Sequence, residues 1–246
     1  MTPQIISSYD GGQHNADLNQ TISRLTQEVA YKDLSCIQIM PGFGQIPTKC
    51  IAAWMNMPTP PNGKFTRLWP VAMEVGEAFS KTIESILAHP DLSKWKYVLT
   101  LEHDNIPPSD GIVRILRQMD AHPEYAAIGG LYFTQGGNGV AQIWGDPSDP
   151  VLNFRPQVPI PDTLQECCGT GMGFTCFRLD MFKDERLRKP WFKTLDGSQG
   201  QGVGTQDLYF WSDARKYGYR CAIDTSIKVG HYDMTGARGG IEDFTW

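Results

Sequence analysis

No two of the six cysteines (Cys36, Cys50, Cys167, Cys168, Cys176 and Cys221) are spaced as a CxxC pair. That spacing argues against a zinc ribbon or a disulfide frame, and most of these cysteines lie in apolar runs that predict buried free thiols. No apolar run approaches the roughly 20 residues needed to span a bilayer. Basic residues are outnumbered, 22 Lys and Arg against 27 Asp and Glu, for a net charge of −5. This argues against broad binding to nucleic acid or to an anionic membrane, but allows one nucleotide held through a metal ion. The start, MTPQIISSYDGGQHNADLNQ, has neither the basic residues nor the apolar core of a signal peptide, so a reducing, cytoplasmic setting is expected. GxxxxGK[ST], GxSxG and HExxH are all missing. GTGMGF is a poor dinucleotide fingerprint, because it lacks a preceding strand and an acid about 20 residues on. Its glycines fit close backbone packing near a ligand better.

What is present suits one α/β domain. The 246 residues are 41% hydrophobic and 20% charged, enough for a real core. Residues 1–33 are polar, with a short helix expected around 17–30. SCIQIMPG (35–42) predicts a strand broken at Pro41-Gly42, KCIAAWMNMP a second strand, and TPPNGKF a turn. Pro70 suits a first helical position, and apolar residues then recur from Val71 to Leu87 at helical spacing. KYVLTL (96–101) has the nearly all-apolar composition of a strand covered on both faces. Asp110 is placed to cap a helix whose stripe is Ile112, Ile115, Leu116 and Met119, and YAAIGGLYF (125–133) returns as a strand. Strand, helix, strand is the unit of a parallel or mixed sheet. Residues 146–163 predict a Pro-rich surface loop, and ECCGTGMGFTCFRLDMF a strand entered through glycines. GSQGQGVGTQD predicts a mobile loop, followed by a helix capped by Thr205 and closed by Gly218. YRCAIDTSIKVGHYD adds one or two short strands ending at His231.

The stretch TLEHDNIPP (100–108) ends a buried strand in two acids and a histidine. In open α/β sheets the carboxyl edge of the strands is where ligands bind. On an extended chain Glu102 and Asp104 point to one side and His103 to the other, which makes His103 the poorer ligand. Two hard oxygen ligands suit Mg²⁺ or Mn²⁺ shared with a substrate's phosphates. The alternative is an ordinary polar strand end. His231, after an apolar run, is either a packed histidine or a further ligand. Asp207, in a first helical turn behind a Gly-rich loop, complements the helix dipole or serves as a general base. Tyr209, Phe210 and Trp211 suit core packing, whereas Trp191 and Phe192, beside Pro190, could stack on a sugar ring.

Taken in order, these segments resemble the GT-A-fold glycosyltransferases of the family 2-like type, over roughly residues 35–233. KYVLTLEHDNIPPSDGIVRIL is similar to that family's strand, D-x-D and helix. GTGMGFTCFRLDMF is similar to the strand closing the acceptor side. PWFKTL and GTQDLYFWSDARKYGYRCAIDTSIKVGH are similar to the acidic motif and the run to a terminal histidine. The resemblance implies a single GT-A-like (Rossmann-like) domain over 1–246, with a mixed, mostly parallel sheet flanked by helices. A nucleotide-sugar half would span about 35–133 and an acceptor half about 134–246. It implies a metal, Mn²⁺ or Mg²⁺, held by Glu102, Asp104 and His231. Donor contacts would fall at Pro41, Gly42, Glu102, His103 and Asp104. Acceptor contacts would fall at Gly171, Trp191 and Asp207, with Asp207 the catalytic base.

The partners implied are a nucleotide-diphosphate sugar and a glycan, lipid, protein or small-molecule acceptor, with transfer inverting if Asp207 is the base. The sequence departs from the family pattern at three places. Glu102 replaces an Asp, Gln206 replaces the first acid of an acidic pair, and Ala78-Phe79-Ser80 replaces A-R-N. A GT-A-like nucleotidyltransferase and a catalytically silent sugar- or nucleotide-binding module stay open as alternatives.

Overall fold

The computed structural model describes residues 33–42, 44–60, 64–135, 139–197, 203–233 and 244–245. The helix expected around 17–30 and most of the Gly-rich 197–204 loop lie outside them. Fourteen strands follow in chain order: β1 Cys36–Ile39, β2 Phe65–Leu68, β3 Tyr97–Leu101, β4 Asn105–Ile106, β5 Ala127–Leu131, β6 Ile143–Trp144 and β7 Leu164–Cys167, then β8 Gly169–Thr170, β9 Phe174–Arg178, β10 Leu195–Asp196, β11 Val203–Gly204, β12 Cys221–Lys228, β13 Gly230–Tyr232 and β14 Phe244–Thr245. Four α-helices are interspersed: α1 Thr48–Trp54, α2 Val75–Ala88, α3 Gly111–Ala121 and α4 Gln206–Ala214.

Seven strands form one sheet in the order β2-β1-β3-β9-β5-β12-β7. The β1–β2, β1–β3 and β5–β12 pairings are parallel, whereas β9 runs antiparallel to both β3 and β5, and β7 antiparallel to β12. Strands from both predicted halves therefore share one sheet. The strand–helix–strand unit β3-α3-β5 is present, but β9 from the second half inserts between its two strands.

Helices cover both faces because the central strands are apolar on both sides. On one face Ile37, Ile39, Val98 and Phe177 meet Phe79 and Ile83 of α2 and Phe210 and Trp211 of α4. On the other, Cys36, Leu99 and Phe174 meet Ile112, Ile115, Leu116 and Met119 of α3 and Cys50 and Trp54 of α1. Each fully buried side chain of the α3 stripe contributes about 1.5–3 kcal/mol. All six cysteines are free and buried. Among the described residues no helix is long and apolar enough to cross a membrane.

Three local expectations fail for identifiable reasons. KCIAAWMNMP contains a helix rather than a strand, since Cys50 and Trp54, four residues apart, are the buried positions of the helix, while Lys49, Ile51, Ala52 and Met55 are exposed. The stretch expected to turn ends in strand β2, which pairs with β1. Helix α2 starts at Val75, not at Pro70, because the Glu74 carboxylate caps it by accepting the Glu77 amide at 2.9 Å and Ala72 takes a left-handed φ of 58°. The freed segment lies beside β1 instead, with Gly42 bridging Val71. Asp110 and Thr205 occupy the expected N-cap positions without side-chain capping bonds, and Gly218 closes the α4 region at φ 83°.

Candidate active site

β3 ends at Leu101, and the chain then turns rather than continuing extended, with the Asn105 amide donating to the Glu102 carbonyl at 3.2 Å. The turn changes the expectation for His103. Instead of facing away, it joins Glu102, Asp104, Pro41, Gly42, Met73 and Val75 in lining a cleft of about 230 Å³. All five residues expected to contact the donor thus surround one cavity at the carboxyl edge of β1 and β3.

The C-terminal chain comes to this turn through β13, which pairs antiparallel with β4 and sets His231 opposite Asn105. The Tyr232 amide donates to the Asp104 carbonyl at 2.7 Å. His231 Nε2 then lies 3.4 Å from Asp104 Oδ2, and Gln135 Nε2 donates to the same oxygen at 3.1 Å. Burial alone would raise the Asp104 carboxyl, but His231 and His103 hold it below its usual value. Burial would likewise depress His231, and Asp104 more than offsets this, so its pKa is raised.

Glu102 is governed differently. Burial, then the Asp104 and Asp207 charges, push it up to about 8, which makes it largely protonated at neutral pH in the absence of a cation. Asp207, in the first turn of α4, is 5% exposed, and its Oδ1 has no hydrogen-bond partner among the described residues. Burial raises its pKa, opposed in part by hydrogen bonds with Thr205 and the Leu208 amide.

Tyr132 links the acids to the glycines of GTGMGF. It is buried, and its hydroxyl accepts the Gly173 amide at 2.9 Å. Burial, Glu102 and Asp207 together keep the phenol neutral. A Cβ at Gly171 would stand 2.0 Å from Tyr132 Oη, and one at Gly173 2.6 Å from Asn105 Oδ1. The glycines of GTGMGF are thus where side chains press on backbone, and Gly171 itself is buried. Asn105 is fully buried, and among the described residues neither of its side-chain amide atoms has a hydrogen-bond partner; the sequence signals it only by its position after the acids.

Trp191 is not available to an acceptor. It is 1% exposed and packs edge-on against Phe182, with centroids 5.5 Å apart, so stacking on a sugar ring is excluded in this arrangement. Phe192 is equally buried against Phe210. The aromatics beside Pro190 extend the core instead, as Phe210 and Trp211 do.

Among the described residues no group of three or more His, Cys, Asp or Glu side chains stands as a preformed metal cluster. Asp104 and His231 are the close pair, with Glu102 beside them in the cleft wall. A hard carboxylate oxygen with an imidazole nitrogen is a donor set that Mn²⁺ or Mg²⁺ accepts when phosphates and waters complete the shell.

No known protein-family model matches the sequence, and no curated protein matches it. Among solved structures the chain is similar to A197 from STIV, with a TM-score of 0.55 at 15% identity, over 80% of this chain and 85% of that one. At that identity the likeness shows the fold alone: an α/β domain built on a seven-stranded mixed sheet flanked by helices.

Proposed function

We propose that the protein is a metal-dependent glycosyltransferase that moves a sugar from a nucleotide-diphosphate donor to an acceptor hydroxyl. The observation that carries this reading is the convergence of Glu102, Asp104, His231 and Asp207, from three distant stretches of chain, at the carboxyl edge of the sheet.

The cleft between Pro41-Gly42 and the Glu102–Asp104 turn takes the nucleotide diphosphate. Asp104 and His231 would hold Mn²⁺ or Mg²⁺, which supplies charge neutralisation to the leaving diphosphate, worth several kcal/mol. His231 is oriented by the Phe133 carbonyl and Asp104 by Gln135, so both heads are fixed before any ligand arrives. Beside a bound cation Glu102 would lose its proton to solvent and, as a carboxylate, would accept from water or a donor hydroxyl. Asp207, buried with an unpartnered oxygen and a raised pKa, takes the proton of the acceptor hydroxyl. The acceptor oxygen so deprotonated attacks the anomeric carbon from the face opposite the departing diphosphate, and this single displacement gives inversion.

A screen of nucleotide sugars with Mn²⁺, read as release of nucleoside diphosphate, tests the proposal directly. Slow hydrolysis of one donor that stops on chelation is expected. No hydrolysis, together with no thermal stabilisation by any nucleoside diphosphate and Mn²⁺, overturns it.

A further inference from the structure

A second, larger cleft of about 410 Å³ opens on the other side of β1's end, between α1 and β2. Its walls include Met40, Ile51, Trp54, Met55, Met57 and Trp69, and among the described residues that line it Arg67 is the charged one. The apolar lining is not sealed: Met55 is 81% exposed and Trp69 53%. Large apolar side chains left open around a concave surface mark a place where something binds. Three methionines add adaptability, since unbranched thioethers reshape around an aliphatic chain at little cost.

Arg67 gives the cleft its chemistry. It is half-buried, and its Nε donates to Gln38 Oε1 at 3.0 Å while its guanidinium lies 5.1 Å from the Phe65 ring centre. Among the described residues no carboxylate pairs with it, and burial draws its pKa below the ordinary arginine value. A desolvated guanidinium with free N–H groups in an apolar slot is complementary to one anionic head.

We propose that this cleft binds an amphipathic anion, with a hydrocarbon chain among the methionines and tryptophans and a carboxylate or phosphate head on Arg67. The site is separate from the proposed donor cleft, although Met40 and Pro41, adjacent in the chain, line one each. Its occupancy does not depend on the transferase reading.

The test is titration of the full chain with decanoate, decyl phosphate and decanol below their micelle thresholds, without nucleotide or metal. Calorimetry gives the stoichiometry, and indole fluorescence follows the change at Trp54 and Trp69. One equivalent of either anion should bind, at least about tenfold more tightly than decanol, the size of a charged hydrogen-bond contribution. The tighter of the two anions distinguishes a carboxylate from a phosphate head. Arg67→Gln should bring the anion down to the decanol level, and Arg67→Lys should keep most of the preference. Equal binding of anion and alcohol, no saturable anion binding, or an unchanged preference in Arg67→Gln overturns the proposal. If Arg67→Gln unfolds, the wild-type comparison of anion with alcohol decides alone.

Discussion

His231 stands between two oxygens: its Nδ1 is 2.8 Å from the Phe133 carbonyl and its Nε2 is 3.4 Å from Asp104 Oδ2. A carbonyl only accepts, so Nδ1 carries a proton and donates it. In the neutral ring Nε2 therefore presents a lone pair towards a carboxylate. Two acceptors facing one another favour a shared proton or a cation between them, and the orienting carbonyl is the outer-shell partner that metal-binding imidazoles characteristically have.

Asp104→Ala removes the carboxylate half of that pair. In the wild type, a nucleoside diphosphate with Mn²⁺ at about 100 times its Kd should add about 2.7 kcal/mol, or roughly 5–10 °C in Tm. The variant should lose the Mn²⁺-dependent part of the shift in differential scanning fluorimetry. A shift of wild-type size would remove Asp104 from the metal site.

Asp207→Asn keeps the shape of the side chain and removes its basicity. Metal-dependent nucleotide binding should persist, while sugar transfer falls by about 10² to 10⁴. Single-turnover transfer with saturating donor separates the two effects, and undiminished transfer rules Asp207 out as the base.

Glu102 imposes a pH dependence on the metal-free protein. Its folded pKa of about 8 lies above the unfolded value of 4.5, so the folded state binds the proton more tightly. Folding stability should fall as pH rises from about 4.5 to 8 and level off above, by a total on the order of 5 kcal/mol. Glu102→Gln should flatten that window and be the more stable form at pH 8 in chelator. Urea unfolding at several pH values measures it, and parallel curves for the two proteins would contradict the assignment.

Gly171→Ala should destabilise the fold. The added methyl meets Tyr132 Oη at 2.0 Å and Gln142 Oε1 at 2.9 Å inside a packed region. A loss of about 2–3 kcal/mol is expected, recovered in part by adding Tyr132→Phe, which deletes the clashing oxygen. Chemical denaturation of both single variants and the double variant gives the coupling, and strict additivity would show that the hydroxyl is not the obstacle.

Much of the fold follows from local pattern. The β3 run, the α3 stripe and the helix from Gln206 closed by Gly218 are each encoded within a dozen residues, because helical and strand periodicities are short-range properties. Glu102 and Asp104 were legible for the same reason, as acids at the end of a buried strand. Helix α1 was misread because a short run containing Cys50 and Trp54 fits either periodicity, and only packing against the α3-side core selects one. Helix α2 was started too early because Pro70 is as acceptable beside a strand as at a helix start.

The sequence by itself determined which segments are apolar, where acids interrupt them, and that strands and helices alternate in one α/β domain. The tertiary structure decided which distant residues meet. It inserted antiparallel β9 between β3 and β5, buried Trp191 in the core, and brought His231 to Asp104 through the β4–β13 pairing. The physical reason is that strand pairing and core packing join residues far apart in the chain, and periodicity within a segment carries no record of its partner.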